Sequence, residues 1–459
     1  SVRPLNTKRC RSHNAKCNRR YCAPSSWRLV FSTLAMSYLS MLTSSFLPPS
    51  SPYHNIRPCD DAAATTRLLP WFSAHTSSPD TDDEEIAKTM TVPEPPPTSP
   101  AYSLYHLILQ NRARRTNSGN GDEGSLYKNC KSIPLAGVYD ALSAKIFAQN
   151  GAPALFLSGF GVSASLLGIP DAGMTNLVEM EMMTRNVCSV VRSRPAYGTV
   201  IKGNYHPLPI IADGDTGYGG APNMLRTISA LASAGAAAIT IEDQQFPKKC
   251  TIAAGSKIQI VGREAAVQRV KGALGARDLY KERTAGGAGP WIVARTDCRM
   301  AYGFEEVLER CVRFEELGAE IIYAENLQSR EEYEKLRSVL DCRTVTMIAQ
   351  VQETMDAPWD IKQEVDRKPL LTVQEIGELG YDLALFGVTP LQCVVGALES
   401  TAKDFLRRSE HGAMVGTGII GNGEESESSQ RNIMADFSTV KRVVGFDELA
   451  DFETKFPCT

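Results

Sequence analysis

The sequence predicts an α/β protein of the (β/α)8 barrel type behind a disordered extension. Three observations point there. Short β-favouring runs recur between residues 133 and 387, segments of helical period separate them, and a polar or charged residue stands directly after most of the apolar runs. A parallel barrel collects its chemistry at the C-terminal strand ends, so the third observation turns a count of elements into an architecture.

The expected strands, in order, are IPLAGV (133–138), ALFLS (154–158), PIIAD (209–213), AAITIED (237–243), WIVART (291–296), EIIYAE (320–325), VTMIAQ (345–350) and LALFG (383–387). Between them NMLRTISALASAG, GFEEVLERCVRFEELG and REEYEKLRSVL carry helical period. The first two close on the glycine that favours the left-handed residue past a helix end. Eight such units over roughly 270 residues suit a closed barrel; the competing architecture is an open doubly wound sheet. The strand ends decide, since they supply Ser158, Asp213, Glu242, Arg295, Glu325 and Gln350. Any one of them could cap the following helix, but all six together exceed what capping and solvation require.

Composition before residue 125 is different. PPSSP, SSPDTDDEE and PEPPPTSP interrupt any hydrophobic period, so 1–125 is expected to be a targeting and disordered extension, and 126–459 the barrel with a C-terminal helical tail. The first 59 residues hold basic side chains and no acid, and LVFSTLAMSYLSMLTSSFL follows from Leu29. Its many Ser and Thr residues suit a removable targeting peptide for a mitochondrion or plastid better than a stable membrane span. Translation from Met36 or Met90 would instead leave a cytoplasmic protein.

A net charge of −3 gives no global reason to expect a nucleic-acid partner. Twelve cysteines in 459 residues are too sparse for a disulfide scaffold. Cys10, Cys17 and Cys22 with His13 fit no usual zinc spacing.

The stretch PIIADGDTGYGG carries the most chemistry. Four glycines stop the strand, and alternation puts Asp213 and Asp215 on one side of it, where like charges repel unless a cation or proton lies between them. Two other patterns mislead. GFGVSA fits a loose dinucleotide turn with Glu179 downstream, but LLGIPDAG interrupts the helix such a turn requires. DGDTGYGG starts like a calcium loop, yet Gly217, Tyr218 and Met224 occupy positions that need a ligand, a glycine and a glutamate.

FLSGFGVSASLLGIPDAG, PIIADGDTGYGG, ITIEDQQFPKKC and IVARTD, in this order, resemble the isocitrate lyase and phosphoenolpyruvate mutase superfamily over residues 130 to 408. The tail MADFSTVKRVVGFDELADFETKF resembles that of plant proteins of the carboxyvinyl-carboxyphosphonate phosphorylmutase type. The resemblance implies one Mg²⁺, or Mn²⁺, with Asp213 as direct ligand and Asp215 and Glu242 holding its waters. It implies a carboxylate cradle at Ser158, Gly159 and Phe160, a clamp at Arg295, and positioning roles for Asp171, Glu325 and Gln350. Lys248, Lys249 and Cys250 match the loop in which carbon–carbon lyases of the family keep a cysteine as proton donor. A thiol beside lysines can serve as acid or thiolate.

Four departures from the family pattern stand out. Thr251 and Ile252 replace Gly and His, QETMDAPWDIKQEVDRK replaces an acidic Gly-rich segment, Gln350 stands where many members have Asn, and Gly387 replaces a proline. The resemblance therefore implies a Mg²⁺-dependent lyase acting on a 2-hydroxy di- or tricarboxylate of the methylisocitrate or dimethylmalate type, through an enolate. The alternatives are a phosphonate mutase, an oxaloacetate hydrolase, and a pseudoenzyme that keeps the barrel. The small carboxylate is the expected partner, together with further copies of the chain in a homotetramer contacted through residues 390 to 408.

Overall fold

The computed structural model describes residues 89–116, 130–192, 197–251, 258–350, 370–408 and 435–456, all within the unit Thr76–Thr459. The targeting segment, Ile252 and the insertion at 353–369 lie outside the described residues.

Ten strands are present: β1 (Ile133–Val138), β2 (Ala154–Leu157), β3 (Thr199–Ile201), β4 (Asn204–His206), β5 (Ile210–Asp213), β6 (Ala238–Glu242), β7 (Trp291–Thr296), β8 (Ile321–Ala324), β9 (Val345–Ala349) and β10 (Leu383–Phe386). Eight of them close a barrel in the order β1-β10-β9-β8-β7-β6-β5-β2, and all its pairings are parallel. The closed sheet rules out the open doubly wound alternative. Each run expected from the sequence is a barrel strand, trimmed at most by a residue at either end. β3 and β4 form a separate antiparallel hairpin, which the sequence reading did not anticipate. Its turn, Lys202-Gly203, takes positive φ at both residues, as a tight two-residue hairpin turn requires.

Period two divides the barrel strands into two sets. Ile133, Leu135, Ala154, Phe156, Ile211, Ala238, Trp291, Val293, Ile321, Tyr323, Val345, Met347, Leu383 and Leu385 share one buried cluster, the barrel interior. The alternate residues, such as Leu155, Ile210, Ile239, Ile292, Ile322 and Ala384, pack with the helices in a second cluster. Both faces of the sheet are covered, which is why its strands read as unbroken apolar runs. Gly137 holds the closure between β1 and β10: a Cβ there would lie 2.0 Å from the Gly387 carbonyl oxygen.

One expectation is corrected. Within the stretch assigned to a disordered extension, Ala101–Thr116 is a helix whose Ala101, Leu104 and Ile108 join the interior cluster. The Ser99 hydroxyl accepts from the Ala101 N–H at 3.2 Å and donates to the Gly289 carbonyl at 2.7 Å, fixing the helix start. Arg112, one turn beyond Ile108, donates from Nε and Nη2 to the two Asp382 oxygens at 2.8 Å. Burial of a short apolar stripe, with Arg112 and Arg115 both paired to Asp382, thus anchors a segment whose proline-rich neighbours hide its period. Among the described residues no helix is long and apolar enough to cross a membrane.

Candidate active site

Continuing the inward parity past each strand gives the site. Phe156 leads to Ser158, Ile211 to Asp213, Ala238 through Thr240 to Glu242, Val293 to Arg295, and Tyr323 to Glu325. The same two-residue step that fills the interior with apolar side chains lower down therefore delivers polar ones to its mouth. A cavity there is lined by Ser158, Phe160, Asp171, Asp213, Glu242, Lys248, Cys250, Arg295, Glu325 and Gln350 among others. Of the residues singled out in the sequence, Gly159 and Asp215 sit just behind this wall. The Gly159 N–H donates to Asp213 Oδ2 at 3.3 Å, and a Cβ on Gly159 would approach that oxygen to 2.9 Å. The glycine is needed for the close approach of backbone to carboxylate.

Asp213 and Asp215 flank a tight turn in which the Asp215 N–H donates to Asp213 Oδ1 at 3.1 Å. Asp215 itself has φ 49°, a left-handed conformation that short polar residues tolerate better than others. Lys248, buried on the loop after β6, places its Nζ 3.0 Å from Asp171 Oδ1 and against Asp215 Oδ1. Burial pushes the Asp215 carboxyl up to about 6, with Lys248 opposing and Asp213 and Asp171 adding to the rise. Burial also raises the Glu242 carboxyl well above its usual range, against the pull of Arg295. Burial alone would lower the Lys248 ammonium, but the surrounding carboxylates hold it well above its ordinary value.

The acids fit a hard divalent cation. Glu242 Oε1 is buried without a hydrogen-bond partner, an arrangement that costs energy unless a cation or its water occupies the space. Among the described residues no three His, Cys, Asp or Glu side chains are grouped closely enough to hold a metal ion by themselves. Magnesium does not need such a group, since it usually binds through one or two carboxylates and keeps several waters. All three candidate ligands offer oxygen, the donor it prefers.

Arg295 projects from β7. Its Nε and Nη2 donate to the two Asp297 oxygens at 2.7 and 3.1 Å, its Nη2 stands 3.7 Å from Glu325 Oε2, and its Cζ lies 5.2 Å above the Tyr323 ring. Tyr323 donates its hydroxyl to Glu325. The guanidinium, part of the cavity lining, is held on edge by Asp297 and on its face by Tyr323. Cys250 is half-buried in the cavity wall between Lys249 and buried Thr251.

Gln350 is the residue whose parity differs. Ala349 continues the inward set of β9, and Gln350 Oε1 accepts from the Leu371 N–H at 2.8 Å. It borders the cavity while tying β9 to the next segment. The sequence reading missed Tyr323, Gln244 and Asp297. Tyr323 could have been found by parity, two residues before Glu325. Nothing in residue type alone marks Gln244 or Asp297, because their part lies in hydrogen bonds to one another.

The family described as phosphoenolpyruvate phosphomutase matches residues 124–406. A 2-methylisocitrate lyase from Aeropyrum pernix is 34% identical over 276 residues, 60% of this chain and 76% of that one. The chloroplastic carboxyvinyl-carboxyphosphonate phosphorylmutase of Arabidopsis thaliana is 31% identical over 329 residues, 71% of this chain and 80% of its own. Among solved structures, a 2,3-dimethylmalate lyase superposes with a TM-score of 0.57 at 25% identity, covering 79% of this chain and 97% of that one.

Proposed function

The chain belongs to the phosphoenolpyruvate phosphomutase family, within the isocitrate lyase and phosphoenolpyruvate mutase superfamily of lyases and mutases, and from that premise we propose that it is a Mg²⁺-dependent carbon–carbon lyase. Its substrate on this reading is a 2-hydroxy di- or tricarboxylate of the methylisocitrate or dimethylmalate type. The observation that carries the proposal is Cys250, a thiol not engaged in a disulfide, on the same cavity wall as Lys248 and Lys249 and facing a site that also holds Asp213, Glu242 and Arg295.

Asp213 would hold Mg²⁺ directly, with Asp215 and Glu242 on its waters. When bound, the cation supplies Lewis-acid stabilisation of negative charge on the substrate's oxygens. The Gly159 region and Arg295 orient carboxylate groups, Arg295 through a planar fork suited to them. In the reaction the 2-hydroxyl gives its proton to solvent water, the O–H bonding pair forms the keto C=O, and the adjacent carbon–carbon bond breaks. The departing carbon keeps that bond's pair as an enolate beside its carboxylate and takes the Cys250 thiol proton; solvent then reprotonates the thiolate. Lys248 remains an ammonium throughout, balancing Asp171 and Asp215.

The test is turnover by the 459-residue chain of methylisocitrate, dimethylmalate, isocitrate, oxaloacetate and phosphonopyruvate with Mg²⁺. Keto acid released from a hydroxy acid, and abolished by EDTA and by Cys250→Ala, is the expected result. Conversion of phosphonopyruvate to phosphoenolpyruvate alone would replace the lyase with a mutase, and its conversion to pyruvate and phosphate with a phosphonate hydrolase. Turnover of oxaloacetate alone would indicate a hydrolase. Silence across the panel with oxalate still bound would make the chain a pseudoenzyme altered at Thr251 and its neighbour.

The same reading includes a homotetramer and import into an organelle, a plastid being the compartment named for the Arabidopsis relative. Sedimentation velocity tests the first. The location of a fluorescent protein fused behind residues 1–125 tests the second.

A further inference from the structure

Two residues outside the proposed catalytic set join the cysteine loop to the arginine clamp. Gln244 follows β6 by two residues and is 2% exposed; Asp297 follows β7 by one and is fully buried. Gln244 Oε1 accepts from the Lys249 N–H at 2.9 Å, and Gln244 Nε2 donates to Asp297 Oδ2 at 2.6 Å. Asp297 in turn receives Arg295 on both of its oxygens. A single side-chain amide thus has one end on the backbone beside Cys250 and the other on the carboxylate that aligns Arg295.

The frame behind it is fixed. The Asp297 N–H donates to Asp243 Oδ1 at 2.9 Å, and Asp243 Oδ2 accepts from the Thr296 hydroxyl at 2.6 Å and from Arg310 at 2.8 Å. Arg269 donates to the carbonyls of Glu242 and Gln244 at 2.8 and 2.6 Å. The backbone at 242–244 and 296–297 is therefore anchored on every side. The loop from Lys248 to Thr251 meets this frame at the Gln244 amide, while Lys248's ion pairs tie it to Asp171 and Asp215 elsewhere in the site.

We propose that Gln244 is a positioning residue that couples the placement of the Lys248–Cys250 loop to the orientation of the Arg295 guanidinium. Loop and clamp then reach their working geometry together: when the Lys249 amide leaves Gln244, the side-chain amide is released to turn, and Asp297 loses its third donor. The inference rests on the reading that Arg295 binds a carboxylate, and it concerns neighbours of that site to which no role has been given.

The measurements are amide hydrogen exchange at Lys249 and oxalate affinity in the presence of Mg²⁺, on the full chain. Gln244→Glu keeps an acceptor for the Lys249 N–H but replaces the donor to Asp297 with a repelling oxygen, whereas Gln244→Leu removes both. Gln244→Leu should raise exchange at Lys249 about fivefold, the size expected for one lost hydrogen bond, and Gln244→Glu should raise it about threefold, since its carboxylate still accepts from Lys249 but is no longer anchored on Asp297. Both should weaken oxalate about tenfold, since a misaligned fork loses charge-assisted bonds to the ligand. Affinity is measured well below each variant's melting temperature, which itself falls because a buried polar group is left unsatisfied. Asp297→Asn, which does not touch the loop, leaves one oxygen where Arg295 and Gln244 shared two, and should also raise exchange at Lys249, about threefold, because Gln244's anchor is weakened.

Wild-type exchange at Lys249 in both Gln244→Leu and Asp297→Asn would overturn the coupling, as would wild-type oxalate affinity in Gln244→Glu. Absence of oxalate binding by the unaltered chain would overturn the carboxylate reading instead. The exchange rates in the two variants would then still decide whether Gln244 links loop and frame.

Discussion

Arg295 Nε stands 3.5 Å from Glu242 Oε2, and the two residues face each other in the register of adjacent strands β6 and β7. A proposed metal-side acid and a proposed substrate clamp are thereby set at one level of the barrel by backbone pairing, before any side-chain contact is considered. Arg295→Lys should lower kcat/KM about a hundredfold. An ammonium cannot occupy both Asp297 oxygens and still offer an edge to the substrate. Steady-state kinetics on whichever acid is turned over checks this, and a change below about threefold would remove Arg295 from the clamp role.

Cys250→Ala should reduce turnover by about a hundredfold or more while leaving oxalate affinity within about twofold of the unaltered chain. A proton donor contributes to the bond-breaking sequence and little to holding a carboxylate. Cys250→Ser should be impaired as well, since a hydroxyl is a far weaker acid than a thiol. Equal loss of oxalate binding and turnover would mean that the cysteine shapes the cavity rather than delivering a proton.

Much of this site was legible because period two is the same rule for packing and for placement. Residues that fill the barrel interior at Phe156, Ile211, Val293 and Tyr323 predict inward polar groups two positions later, and Ser158, Asp213, Arg295 and Glu325 are where that rule puts them. Gln350 broke the rule by one residue, so its side chain meets the Leu371 amide. Gln244 and Asp297 were invisible for a different reason. Their importance lies in which oxygen faces which nitrogen, and this depends on two segments whose joining residues are 53 apart in sequence. The helix Ala101–Thr116 was hidden by the prolines before it, and the β3-β4 hairpin by its position inside a barrel repeat.

Mg²⁺ should raise the melting temperature of the chain, because a ligand that binds only the folded state stabilises it by about 2.7 kcal/mol at one hundred times its Kd. Asp213→Asn should abolish most of that increase while stabilising the metal-free form, since it removes a carboxylate from a site that already holds Asp215 and Asp171 around one lysine. Thermal scans with Mg²⁺ and with EDTA give both values. A Mg²⁺ shift retained in full by Asp213→Asn would move the metal away from this turn.

At the opposite end of the barrel the argument runs through stability. Asp382 is fully buried and would be pushed up by that burial, yet Arg112 and Arg115 hold its carboxyl well below the usual range. A depressed carboxyl contributes stability that is present above its unfolded pKa, about 3.9, and is lost as pH falls through the lower folded value. Arg112→Met should therefore destabilise the protein by about 3 to 5 kcal/mol near neutral pH, leaving Asp382 with Arg115 alone among charged partners. The deficit should shrink as pH falls below about 4, where the intact pair loses its own advantage. Denaturant midpoints measured from pH 7 down to pH 3 test the sign. A deficit that stayed constant on acidification would show that Arg112 acts through packing and uncharged hydrogen bonds rather than through this ion pair.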